Sequence, residues 1–147
     1  MFLRFAVVGS GLLLLALIPA LAEVVTTTSS RRGILHCLAA EELLVAGWLV
    51  PAEREFKRAL KLQPLLGAAR CGLGKIRLQQ ERYDDAVAEF RAAIAALHKV
   101  DRSMGRSEAT VPGGLTLALA DALDHSGRHS EAEQLRRSEE SSQALSV

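Results

Sequence analysis

Residues 86–93 read AVAEFRAA, and residues 52–59, which lie 34 positions earlier, read AEREFKRA. Both octapeptides have the form A-x-x-x-F-x-x-A, so three residue types recur at one interval. The same interval relates two further pairs, Cys37 with Cys71 and Ala40 with Gly74. A fixed period of roughly 20–50 residues is the signature of a repeat protein. The segments 33–66 and 67–100 therefore follow one template.

The template contains two apolar-periodic stretches, each of which predicts a helix. In the first copy, residues 34–46 form the first helix, and Gly47 interrupts it. Pro51 then marks the start of the second helix, because the first turn of a helix needs no N–H partner. Pro64 ends that helix near Leu62, since proline cannot continue a helix interior.

The second copy predicts a helix over 68–80 and a turn at Arg82 and Tyr83. Asp84 is placed to cap the next helix, because a side-chain oxygen at that point accepts a bond from a free backbone N–H.

A third copy follows at 113–146, since Ala132 lies 46 residues after Ala86. The extra residues, 101–112, read DRSMGRSEATVP, and we expect a disordered loop there. The preceding helix is expected to reach Lys99 or beyond.

The last helix of the third copy is polar. Ser130 and Glu133 have the spacing of a capping box at its start. Arg136 and Glu139 stand where the earlier copies have Phe and Ala. A polar outer face is what the terminal unit of a repeat array requires.

This pattern resembles the tetratricopeptide repeat, a 34-residue helix–turn–helix with small residues at positions 8, 20 and 27 and a large apolar residue at position 24. The matching residues are Ala40, Gly74 and Ala120 at position 8, Ala52, Ala86 and Ala132 at position 20, Phe56 and Phe90 at position 24, Ala59 and Ala93 at position 27, and Pro64 at position 32. Position 4, often Trp in the family, departs from the pattern, with His36, Arg70 and Thr116. Over about 33–146 the resemblance implies an all-α fold, a short right-handed solenoid of three hairpins.

The first 22 residues, MFLRFAVVGSGLLLLALIPALA, have the layout of a secretory signal peptide. Arg4 precedes an uncharged apolar run, and Ala20 and Ala22 form an A-x-A cleavage pattern. We therefore expect export, to the bacterial periplasm or outside the cell. An uncleaved membrane anchor is the alternative, although a run of about 18 residues is at the short end of spanning length. Residues 23–32, EVVTTTSSRR, are expected to be a linker without helical periodicity.

The resemblance also implies a concave groove, lined by the first helix of each copy, that binds a protein or peptide. Carried onto this chain, the lining residues are Ile34, Cys37, Glu41, Leu44 and Val45 in the first copy, Ala68, Cys71, Lys75, Leu78 and Gln79 in the second, and Leu117, Asp121 and Asp124 in the third. These residues lack the Lys and Arg cluster that would clamp a carboxylate. An extended or helical peptide held by apolar contacts is therefore the expected ligand.

Other functions have little support in the sequence. The 18 basic and 17 acidic side chains give no electrostatic case for nucleic acid binding. The motifs of phosphate loops, serine hydrolases and zinc proteases are missing, so we expect no enzyme, cofactor or metal. Cys37 and Cys71 should lie about 10 Å apart on successive repeats, which is too far for a disulfide. Self-association into a homo-oligomer remains an alternative to partner binding.

Overall fold

The protein is described by a computed structural model that covers residues 28–106 and 111–144. Those residues form helices joined by turns and contain no strand, which confirms the all-α class. The helices are α1 (28–45 within the described part), α2 (Leu49–Leu62), α3 (Gly67–Gln79), α4 (Tyr83–Ser103), α5 (Gly113–His125) and α6 (His129–Ala144). The predicted signal segment, 1–22, lies outside the described residues.

Consecutive helices form three pairs, α1 with α2, α3 with α4 and α5 with α6. Short turns close the pairs, at 46–48, 80–82 and 126–128. The pairs also pack against each other in chain order, α2 against α3 and α4 against α5. Each helix therefore contacts mainly its neighbours along the chain.

The three pair-closing turns share one hydrogen-bond geometry. The bonds run from the N–H of Trp48 to the carbonyl of Leu43 (2.9 Å), from Arg82 to Arg77 (2.9 Å) and from Arg128 to Leu123 (2.8 Å). The residue before each donor has a positive φ, namely Gly47 (79°), Glu81 (59°) and Gly127 (80°). This is the Schellman ending of a helix, which satisfies carbonyls of the last turn. The turns recur at intervals of 34 and 46 residues, the spacings of the sequence pattern.

Two aromatic rings fill the space between helices, and glycines make room for them. A Cβ added to Gly72 would lie 2.1 Å from Cζ of Phe56, which reaches it from the preceding pair. A Cβ added to Gly74 would lie 2.6 Å from Cε1 of Phe90, in the same pair. Phe56 and Phe90 are fully buried, each within its own apolar cluster. The alanines beside them let the helix backbones approach closely.

The first helix begins earlier than the sequence predicts. Residues 28–32, expected to be part of a linker, are helical and continue into α1. Ser29 and Ser30 are half-buried and line a depression of about 390 Å³ together with Leu62–Leu65 and Val100. Gly33 lies inside the helix and is buried, and a Cβ added to it would lie 3.2 Å from Cβ of Gln63, which follows α2. The linker prediction is therefore wrong for 28–32, and residues 23–27 lie outside the described part.

Three smaller expectations are also corrected at helix ends. α4 runs on to Ser103, so the first residues of the predicted loop 101–112 extend a helix instead. α4 begins at Tyr83 with no side-chain cap, which places Asp84 inside the first turn. There its charge is favoured by the helix dipole rather than by capping. α6 begins at His129, so Ser130 lies within the helix and does not form the predicted capping box.

Candidate functional site: a depression between α1 and α3

A depression of about 460 Å³ lies between the first and third helices. Its lining residues are Leu44 and Val45 from α1 and Lys75, Leu78 and Gln79 from α3. All of them are among the groove residues predicted from the sequence. Because α1 and α3 are the first helices of successive pairs, equivalent positions of two repeats meet here.

The floor of the depression is apolar and packs against the protein core, whereas its rim is exposed and carries polar side chains. Leu44 and Leu78 are half-buried and pack against the two apolar clusters of the core. Val45 is 88% exposed at the edge of the depression. Lys75 and Gln79 supply a cation and an amide at exposed positions. A surface of this kind takes up apolar side chains of a ligand and hydrogen-bonds to its backbone.

The two cysteines behave as small apolar residues. Cys37 is only 4% exposed, so its prediction as a lining residue is wrong, because the helix turns it toward the cluster around Phe56. Burial raises the pKa of Cys37 to about 11, and the carboxylate of Glu41 and the thiol of Cys71 act in the same direction. Thiols that stay protonated at neutral pH are poor nucleophiles and poor metal ligands.

Cys71 is half-buried and packs against the cluster that contains Phe90. Burial raises its pKa, Lys75 opposes the increase, and Glu41 adds to it. Both cysteines are free thiols, as the repeat spacing predicts.

The remaining predicted residues of the first two pairs lie outside the depression. Ile34 is 45% exposed, and Ala68 and Glu41 are also exposed. The negative charge of Glu41 contributes to the raised pKa of both Cys37 and Cys71. These positions are accessible, but they do not share the depression's lining.

The third pair contributes an acidic segment whose charges are already matched. Arg136 of α6 donates to Asp121 at 3.2 Å and to Asp124 at 2.5 Å. The hydrogen bond from Arg136, followed by that from His129, lowers the pKa of Asp124. Leu117 is 47% exposed on the same helix. None of the three predicted residues, Leu117, Asp121 and Asp124, lines the depression between α1 and α3.

Sequence reasoning missed one exposed apolar surface. Leu35 and Leu38 on α1 are 64% and 53% exposed. The 34-residue repeat could have predicted this surface. The equivalent residues of α3, Ala69 and Gly72, are buried, so Leu35 and Leu38 occupy positions that a preceding helix covers in the second pair. The described residues, which start at 28, include no helix pair before the first one that could cover those positions.

Comparison with known proteins leaves the family open. No protein-family model matches the chain, and a search of curated proteins finds no significant similarity. Within 28–106 and 111–144, no helix combines the length and apolar character needed to cross a bilayer. The same residues contain no group of three or more His, Cys, Asp or Glu side chains able to hold a metal ion.

Proposed function

We propose that the chain is a tetratricopeptide-type scaffold that binds a protein partner and performs no catalysis. In this proposal the three helix pairs form a short right-handed solenoid whose first helices present a groove. The observation that carries it is the depression lined by Leu44, Val45, Lys75, Leu78 and Gln79, in which equivalent positions of two repeats meet. The recurrence of one turn geometry at intervals of 34 and 46 residues supports the repeat register.

The ligand proposed for the groove is a peptide segment with apolar anchors. Leu44 and Leu78 offer a packed apolar floor, and Val45 offers an aliphatic surface that binding would remove from water. Lys75 and Gln79 at the rim suit an acidic side chain or a peptide carbonyl of the ligand. Because the depression is open and short, we expect a few residues of the partner to supply most of the affinity.

Selection from a random displayed-peptide library against the full-length protein tests this proposal. Enriched peptides should share apolar residues, and Val45→Glu should weaken their binding by roughly tenfold or more, since a charge then replaces the apolar contact. Val45 is so exposed that the substitution should leave the fold intact. Met104→Glu, at a 64% exposed position after α4, is the matched control and should bind like the wild type. Equal binding by the Val45 variant and the control would mean that recognition takes place elsewhere.

The proposed site of action is the bacterial periplasm or the cell exterior, in an envelope assembly, secretion or biogenesis complex. The basis is the layout of residues 1–22, with its A-x-A pattern before Glu23. Mass spectrometry of the protein from its native host tests this location. A mature chain that begins at or near Glu23 supports export with cleavage. An intact N-terminus in the membrane fraction would instead support the anchored alternative.

A further inference from the structure

The exposed face of α1 carries four residues in one row. Arg31, Leu35, Leu38 and Glu42 follow each other at spacings of four, three and four residues, which places them on one side of a helix. The two leucines are 64% and 53% exposed, and both charged residues are exposed. Neither Arg31 nor Glu42 has an ion-pair partner within the described residues. An apolar centre with charged ends is an unusual surface for a helix that faces only water.

The repeat register shows that this row is a packing face without a partner. Moving 34 residues along the chain takes Leu35 to Ala69 and Leu38 to Gly72, both of which are buried. Ala69 belongs to the cluster around Phe56 of α2, and the ring of Phe56 lies over Gly72. α2 is the second helix of the preceding pair. α1 presents the same face, but the described chain provides no helix to cover it.

A head-to-tail stack of copies does not fit this face. Within the chain, Gly72 leaves the space that the ring of Phe56 fills. Leu38 occupies that position in α1, so an aromatic ring could not enter. The other end of the molecule offers Arg136, which is held by Asp121 and Asp124. A charged, ion-paired end cannot replace the ring of Phe56 over an apolar face.

We propose that a second copy of this chain covers the face, with the two α1 helices antiparallel about a two-fold axis. If the axis passes between Leu35 and Leu38, Leu35 of each copy faces the partner's Leu38. The same arrangement places Arg31 opposite the partner's Glu42 at both ends. The row is therefore complementary to itself in apolar contact and in charge, which is the requirement for an isologous interface. The inference rests on this row of residues alone and requires no peptide in the depression between α1 and α3.

Sedimentation of the full-length protein over a concentration series tests the dimer. The wild type should reach twice the mass of one chain, and Leu38→Glu should raise the dissociation constant by roughly 30-fold or more because it buries a charge at the centre of the contact. Met104→Glu adds the same charge to an equally exposed apolar residue elsewhere and should sediment like the wild type. Circular dichroism should show unchanged helix content for both variants.

A charge swap tests the antiparallel register itself. Arg31→Glu or Glu42→Arg alone should weaken the dimer roughly tenfold, since the symmetry repeats each like-charge contact twice. The double variant Arg31→Glu/Glu42→Arg should restore the wild-type dissociation constant. A wild type that stays monomeric at its highest soluble concentration, or that forms larger assemblies, would overturn the proposal. So would a double variant as weak as the singles, because the two charges would then not face each other.

Discussion

At the scale of single residues, the three helix-closing turns differ in one respect. Gly47 and Gly127 adopt a left-handed backbone conformation that glycine tolerates well. Glu81 also has a positive φ, although it is not a glycine. A non-glycine residue at such a position costs about 1–2 kcal/mol relative to its preferred conformation. The second turn is therefore held in place by its neighbours rather than by its own residue.

The substitution Glu81→Gly should stabilise the protein by about 0.5–1 kcal/mol, because it removes this backbone strain. The gain is smaller than the strain itself, since glycine makes the unfolded chain more flexible. Gly127→Ala is the converse change and should destabilise by about 1 kcal/mol. No atom lies within 4 Å of the Cβ that alanine would add, so a clash cannot explain the loss. Urea unfolding measures the change in the free energy of unfolding for each variant. Two changes of the same sign would show that the positive φ is not what decides stability at these positions.

An ion pair between α2 and α3 gives the stability a dependence on pH. The carboxylate of Glu53 accepts from both terminal nitrogens of Arg77, at 2.7 and 3.2 Å. The hydrogen bond from Arg77, followed by that from Lys57, lowers the pKa of Glu53 from 4.5 to about 2. The side chains of Glu53 and Arg77 are 19% and 13% exposed, so water screens the pair only in part.

Because folding lowers this pKa, the pair stabilises the protein fully above pH 4.5 and the contribution disappears as the pH falls toward 2. Glu53→Gln should therefore lower the free energy of unfolding at neutral pH by about 1–3 kcal/mol. Its stability should also change less than that of the wild type between pH 4.5 and 2. Parallel urea titrations across this range measure the difference. Two curves with the same pH dependence would show that the pair contributes nothing.

At the scale of helices, most boundaries could be predicted because proline and glycine interrupt or end helices. Pro64 and Gly47 stand next to helix ends that the structure places at Leu62 and at residue 45. The start of α1 could not be predicted, because the Ser, Thr and Arg residues at 28–32 have no apolar period. They are helical in the context of α2 and the connection after it, which a local pattern does not contain.

The candidate site was predictable to a similar degree. Repeat positions brought Leu44 and Leu78 together correctly, because the direction of a side chain from its helix follows from the register. The same register treated Cys37 and Cys71 as equivalent, although Cys37 is buried and Cys71 is half-buried. Exposure depends on which neighbours cover a position, and the first and second pairs have different neighbours.

The ring of Phe56 packs over Gly72 and joins the first two helix pairs. Gly72→Ala would place a Cβ about 2.1 Å from the ring, so the aromatic residue or the helix must shift. We expect a loss of about 1–3 kcal/mol, as for other overpacked cores, despite the better helix propensity of alanine. Thermal unfolding measures the change.

Gly114→Ala is the matched control for this substitution. It lies in the first turn of α5, with no atom within 4 Å of the added Cβ. Only the propensity gain of up to about 1 kcal/mol should remain there. Replacing Phe56 by Leu in the Gly72→Ala background should recover part of the stability, because a smaller side chain relieves the clash. Failure of this rescue would show that the damage lies outside the ring contact.

At the scale of the whole molecule, the apolar core is divided in two. One cluster, around Phe56, joins α1, α2 and α3, and the other, around Phe90, joins α4, α5 and α6. α3 contributes to both, since Leu73 belongs to the first and Leu78 packs against the second. In an array of this kind, stability is approximately a sum of terms within and between neighbouring units. The two ends should therefore open separately.

Native-state hydrogen exchange should show this division. Phe56→Ala removes the centre of the first cluster and should reduce the protection of α1 and α2 by about 3–5 kcal/mol, up to the limit of global unfolding, while α5 and α6 change little. Leu123→Ala, at a fully buried position of the second cluster, should give the reverse pattern at about 2–5 kcal/mol. An equal loss of protection across all helices in both variants would mean that the molecule unfolds as one cooperative unit. Since α3 packs against both clusters, its protection should fall in either variant, and that shared response is what couples the proposed groove to the stability of both ends.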